Sequence, residues 1–156
     1  MLGGFAPTRS DLDLLTVTTG PLDTPSKQQL ATALAPHALP CPPVRGLELS
    51  VVTRTTTLAP TPTPPFELHL ATSNQTTRVV DGQGHPGDPD LVLHVAVCRD
   101  HGHPLAGPPP RQVFAPIPRR WLLEGLAREL AWARQHGTFE YQVLNACRAG
   151  SVKLTV

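Results

Sequence analysis

The stretch "RSDLDLLTV", residues 9–17, sets Asp11 and Asp13 one residue apart at the start of a run of strand-forming side chains. Extended to Thr19, "LDLLTVTT" is rich in Leu, Val and Thr and stops at Gly20-Pro21, the pattern of a short, largely buried strand. Strand side chains alternate with a period of two, so Asp11, Asp13 and Leu15 share one face. Two carboxylates on one face repel each other and lose hydration when buried, which is costly unless a cation neutralises them. Mg²⁺ does so readily, because it takes one or two carboxylates together with phosphate oxygens. A solvated strand end or a cap-like turn explains the same pair without a metal, so the surrounding sequence has to decide.

Outward from this strand, "TPSKQQLATALAPH" (24–37) predicts a helix, with Thr24 as cap, Pro25 in the first turn and an end before Pro40. "RGLELSVVTR" (45–54) predicts a second strand, with Glu48, Ser50 and Val52 on one side and Leu47, Leu49 and Val51 on the other. "TTTLAPTPTPP" (55–65) reads as an extended connector too rich in proline for a helix, and "FELHLAT" (66–72) as a third strand. Residues 76–89 are Gly, Asp and polar side chains, a surface loop on composition. The period then changes: "DPDLVLHVAVCRDHG" (88–102), "RRWLLEGLARELAWARQHG" (119–137) and "FEYQVLNACRA" (139–149) read as helices, the first capped by Asp88. Strands early and helices late give an α/β (α+β) unit, a small mixed sheet with flanking helices followed by a partial helical bundle. The expected division is 1–87 for the sheet domain and 88–156 for the helical one.

Composition narrows the function classes. The chain has 156 residues, room for one ordinary domain or one small domain and part of a second. A net charge of +1 is not that of a nucleic-acid-binding coat, and no apolar run approaches the roughly 18 residues of a membrane span. Three widely spaced cysteines, Cys41, Cys98 and Cys147, indicate neither a disulfide framework nor a zinc ribbon and fit a reducing compartment. A cytoplasmic protein without nucleic-acid or membrane partners is expected.

Two features flank the aspartates. Gly3-Gly4 and Pro7 suit a tight turn whose backbone N–H groups approach phosphate, and Ser10 offers a hydroxyl to an acid or phosphate. Glu48, on the neighbouring strand, adds a third acid that can share the metal and act as general base for an incoming hydroxyl. Elsewhere His94, Cys98, His101 and His103 form a histidine-rich helix end, but no second cluster completes a tetrahedral set. The Trp121, Leu122, Leu126 and Leu130 stripe reads as packing, and Arg119, Arg120, Arg128 and Arg134 as a solvated face. Asp88 and Asp90 could attract a polycation, though a helix start also favours acids.

Taken in order, "GGFAPTRSDLDLLTV", "RGLELSVVT", "PFELHLAT", "GHPLAGPPPRQVFAPIPRRWLLEGL" and "YQVLNACRA" resemble the aminoglycoside adenylyltransferases of the streptomycin/spectinomycin group, over about Gly3 to Ala149. The resemblance implies a nucleotidyltransferase-type sheet domain, a C-terminal helical bundle, and transfer of AMP from ATP, with Mg²⁺, to a drug hydroxyl, an antibiotic-resistance activity. It implies Asp11, Asp13 and Glu48 as metal ligands and catalytic carboxylates, Glu48 as the base, and Gly4 and Ser10 on the nucleotide side. Family members carry a Gly-Ser pair upstream of the glycine turn and further helices after the last matched segment, so a member truncated at both ends is expected. Streptomycin-modifying members place a Trp after the third strand, where this chain has Ser73 and Asn74, a departure from streptomycin preference. The alternatives are an inactive nucleotide- or metal-binding remnant, and an adenylyltransferase acting on another hydroxyl. A shortened bundle also implies exposed apolar helix surface and self-association.

Overall fold

The computed structural model describes residues 10–39, 46–73 and 76–151. Its Gly4 and the rest of the glycine turn, together with Cys41, lie outside the described residues. The chain forms two compact units, residues 1–116 and 117–156. The first is an α/β unit built on a mixed four-stranded sheet, β1 (Leu12–Thr18), β2 (Gly46–Thr53), β3 (Leu68–Ser73) and β4 (Thr76–Asp81), in the order β1-β2-β3-β4. β1 and β2 are parallel; β3 and β4 follow antiparallel. The parallel pair needs a crossover, supplied by α1 (Thr24–Ala33), whereas β3 returns directly into β4.

The strand pattern resolves into two faces. On one, Leu49, Val51, Leu68 and Leu70 are buried, with Leu14 of β1 and Leu22, Leu30, Ala31 and Leu34 of the α1 layer packed against them. On the other, Val52, Phe66 and Leu91 form a second cluster with Leu15, Val17 and Val80. Leu91 opens α3 (Leu91–His101), so α3 closes the second face. This is why the first compact unit runs through Pro116 instead of ending after residue 87: the apolar side of α3 is satisfied by the sheet, and a short α4 (Pro110–Val113) follows it. Arg99 Nε donates to the Phe114 carbonyl at 3.0 Å, tying α3 to the chain just beyond α4.

Several local expectations change. β1 stands at the end of the strand order and is only partly buried, so β2, paired on both sides, is the buried strand. α1 is capped by Asp23, whose carboxylate accepts from Ser26 N at 2.9 Å, and it ends at Ala33, not near His37, because the residue ahead of Pro36 is driven out of helical backbone. A five-residue helix, α2 (Arg54–Leu58), occupies the start of the expected Thr/Pro connector. Its prolines begin only at Pro60, and the Thr53 hydroxyl caps it by accepting from Thr56 N. The expected loop at 76–89 begins with a strand: "TTRVVD" is dense in β-branched residues, the preference that suits a pleated edge. α3 starts after Asp90, while Asp88 Oδ1 accepts from Asp90 N at 2.9 Å and shapes the preceding turn.

The second unit contains α5 (Arg119–His136) and α6 (Phe139–Ser151), close to their expected bounds. Gly125 and Ala133 are buried along α5, and the Trp132 and Tyr141 rings meet edge to face at 5.9 Å. Gln142 Nε2 donates to the Gly137 carbonyl across the corner between the helices. Leu123, Trp132, Phe139 and Val143 remain exposed. Among the described residues no helix is long and apolar enough to cross a membrane.

Candidate functional site

The parallel register sets Asp13 opposite Glu48. Partner residues on adjacent strands lie about 4.8 Å apart and present their side chains to the same face. Asp13 and Glu48 are therefore neighbours across β1 and β2, although 35 positions separate them in the sequence. Asp11 joins them from just ahead of β1: its Oδ1 stands 3.3 Å from the point where a Cβ would project at Gly46, two residues before Glu48. Gly46 itself has to be glycine, since a Cβ there would run into the Thr72 carbonyl oxygen of β3. The three sequence-predicted acids are thus brought to one face, at the start of both parallel strands.

Their settings differ. Asp11 and Asp13 are exposed, as suits an edge strand, while Glu48 is half-buried between the fully paired neighbours Leu47 and Leu49. Glu48 is not a charge on a sheet edge: β2 has a strand on each side. Among the described residues none of the three carboxylates is held in an ion pair, in contrast to Asp81, which binds Lys27. Ser10 is partly buried next to Asp11.

The register continues across the whole sheet. Glu48 faces Ala71 of β3, and Ala71 faces Arg78 of β4, so Asp13, Glu48, Ala71 and Arg78 form one transverse row. The next row toward the core is Leu15, Ser50, His69 and Val80. In it the buried Ser50 hydroxyl lies 2.8 Å from His69 Nδ1. Beyond that row the face becomes the Val17, Val52, Phe66 and Leu91 cluster. Polarity therefore grades along the strands from hydrocarbon, through a partly buried hydroxyl–imidazole pair, to open carboxylates. Arg78 escapes sequence reasoning because β4 does; the β-branched run around it was the available signal.

The donor chemistry of the acidic group fits a hard cation such as Mg²⁺, which asks for oxygen ligands and needs only one or two carboxylates when phosphate and water complete its shell. Asp11, Asp13 and Glu48 are the side chains that would hold it. Among the described residues, no group of three or more His, Cys, Asp or Glu side chains is arranged to hold a metal ion. Within α3, His94 and Cys98 remain on a helix, and burial pushes the Cys98 thiol up from its ordinary value, away from the thiolate that a metal requires. No family model matches the chain, and no curated protein matches it.

Proposed function

We propose that the protein is a nucleotidyltransferase that moves AMP from Mg-ATP to a hydroxyl of an aminoglycoside-type antibiotic or of another small acceptor. The observation that carries this reading is the Asp13–Glu48 pairing, with Asp11 beside Gly46, on one open face of the sheet. Asp11 and Asp13 would hold the metal, and Ser10 would lie on the nucleotide side. Bound there, magnesium would offset the charge of the triphosphate as pyrophosphate leaves. Glu48, the less exposed acid on the paired strand, would take the proton of the acceptor hydroxyl. The hydroxyl oxygen then bonds to the α-phosphorus, the bond from that phosphorus to the bridging oxygen breaks, and pyrophosphate carries away the electron pair. Rigid β-strands suit this work, because phosphoryl transfer depends on positioning far more than on covalent participation by the protein.

The test is AMP transfer from Mg-ATP to spectinomycin and other aminoglycosides, followed by pyrophosphate release and product mass. Asp13→Asn and Glu48→Gln should each lower transfer by about 100-fold or more. Parental rates in both variants overturn the assignment. A second reading, a nucleotide- or metal-binding protein without turnover, draws on the exposure of Asp11 and Asp13 and on the absence of a closed metal cage among the described residues. It predicts Mg-ATP binding that Asp13→Asn weakens, with no pyrophosphate release in the parent.

A further inference from the structure

Resting on that reading, we propose that Arg78 selects the charge of the acceptor, seating an oxyanion group on the β3–β4 half of the sheet face while the reacting hydroxyl lies at Glu48. The row Glu48, Ala71, Arg78 crosses two strand intervals, about 10 Å from end to end. Ala71 contributes only a methyl group, so the floor between the acid and the guanidinium is low, and the two charges are held apart instead of quenching each other. Arg78 is exposed and in no ion pair among the described residues. Three other cations of this unit are committed: Lys27 to Asp81, and Arg99 and Arg111 to Asp100.

One row inward, His69 adds a second hydrogen-bonding group to the same half of the face. Its Nδ1 is engaged by Ser50, which leaves Nε2 as the ring atom a ligand can meet. An arginine fork and an imidazole on one side of a small floor, with carboxylates on the other, suit an oxygen-rich polyol bearing a phosphate or carboxylate. A polycationic drug lying across the same row would meet the guanidinium unfavourably. The inference thus picks, from the acceptors open to the proposed reaction, an anionic hydroxyl compound over a polyamine.

Glucose 6-phosphate and spectinomycin serve as anionic and cationic probes of the full chain, titrated calorimetrically at low ionic strength against the parent, Arg78→Glu and Arg78→Lys. The parent should hold the sugar phosphate about ten-fold more tightly than Arg78→Glu, which is one charge-assisted hydrogen-bonded contact. Arg78→Lys should recover most of that binding, and spectinomycin should show the reverse order. Equal sugar phosphate binding by all three proteins, or no binding by the parent, overturns the inference. A parallel AMP-transfer assay separates the two failures: no transfer with the charge order intact rejects the nucleotidyltransferase reading alone, and transfer with an unmoved charge order rejects the role of Arg78 alone.

Discussion

The two faces of the sheet put the same four strands to opposite uses. The face under α1 is hydrocarbon at its centre, with Leu49, Val51, Leu68 and Leu70 buried and α1 laid over them. The opposite face is hydrocarbon only where α3 and Phe66 cover it, and toward the start of β1 and β2 it opens into Asp13 and Glu48. β2 shows the contrast in a single strand: Leu47, Leu49 and Val51 alternate with Glu48, Ser50 and Val52. One face supplies the stability that lets the other hold like charges side by side, a cost that would be hard to carry in a small unit packed equally on both sides.

The sharpest way to break this comparison is to exchange a side chain on each face. Leu70 is fully buried, and Leu70→Ala leaves a cavity under α1 that should cost about 3 kcal/mol, measured by denaturant unfolding of the full chain. Glu48→Gln keeps the shape of the opposite face and should change stability by less than about 0.5 kcal/mol, with its effect confined to turnover or ligand binding. If Glu48→Gln instead unfolds the protein while Leu70→Ala is tolerated, the division of labour between the faces is wrong.

The same contrast explains how much could be read in advance. Alternation in "RGLELSVVTR" located Glu48 and its face because the two faces of β2 differ: Leu49 and Val51 pack under α1, while the other side carries Glu48 and Ser50. The Asp11 and Asp13 pair was legible from the two-residue period of a strand alone. What remained hidden was pairing. Nothing local says that Asp13 lies opposite Glu48, since a parallel register is fixed by the crossover through α1 and by long-range packing. β4 was hidden differently: its side chains are almost all exposed, so no apolar alternation marks "TTRVVD", and with it went Arg78 and the transverse row. α3 was recognised as a helix, but its partner was not, because an apolar stripe does not name the surface that covers it.

A smaller effect is expected at the rim of the α1 face, where the buried Lys27 of α1 reaches Asp81 at the end of β4 at 2.6 Å and Glu67 at 3.9 Å. The hydrogen bond from Lys27, with a second from Gln83 N, holds the Asp81 carboxyl below its ordinary value. The folded value lies under the unfolded one, which is about 3.9. The pair therefore contributes its full stability above that unfolded value and loses it as pH falls through the folded one. Thermal unfolding of Asp81→Asn against the parent should show a gap at neutral pH that narrows below about pH 4. A gap independent of pH would mean that Asp81 acts through its backbone turn and not through Lys27.

The smallest effect concerns how firmly α3 sits on the second face. Cys98 is half-buried on α3, and burial alone raises its thiol value, whereas Cys147 on α6 is exposed. The thiolate is the reactive species, so a water-soluble alkylating reagent near neutral pH should modify Cys147 roughly ten-fold faster than Cys98, read site by site by peptide mass. Leu91→Ala, which loosens the start of α3 against Val52 and Phe66, should speed Cys98 and leave Cys147 unchanged. Equal rates in the parent would mean that α3 opens as readily as an exposed helix. The hydrocarbon end of that face would then be too weakly closed to hold Ser50, His69 and the carboxylate rows in a fixed register.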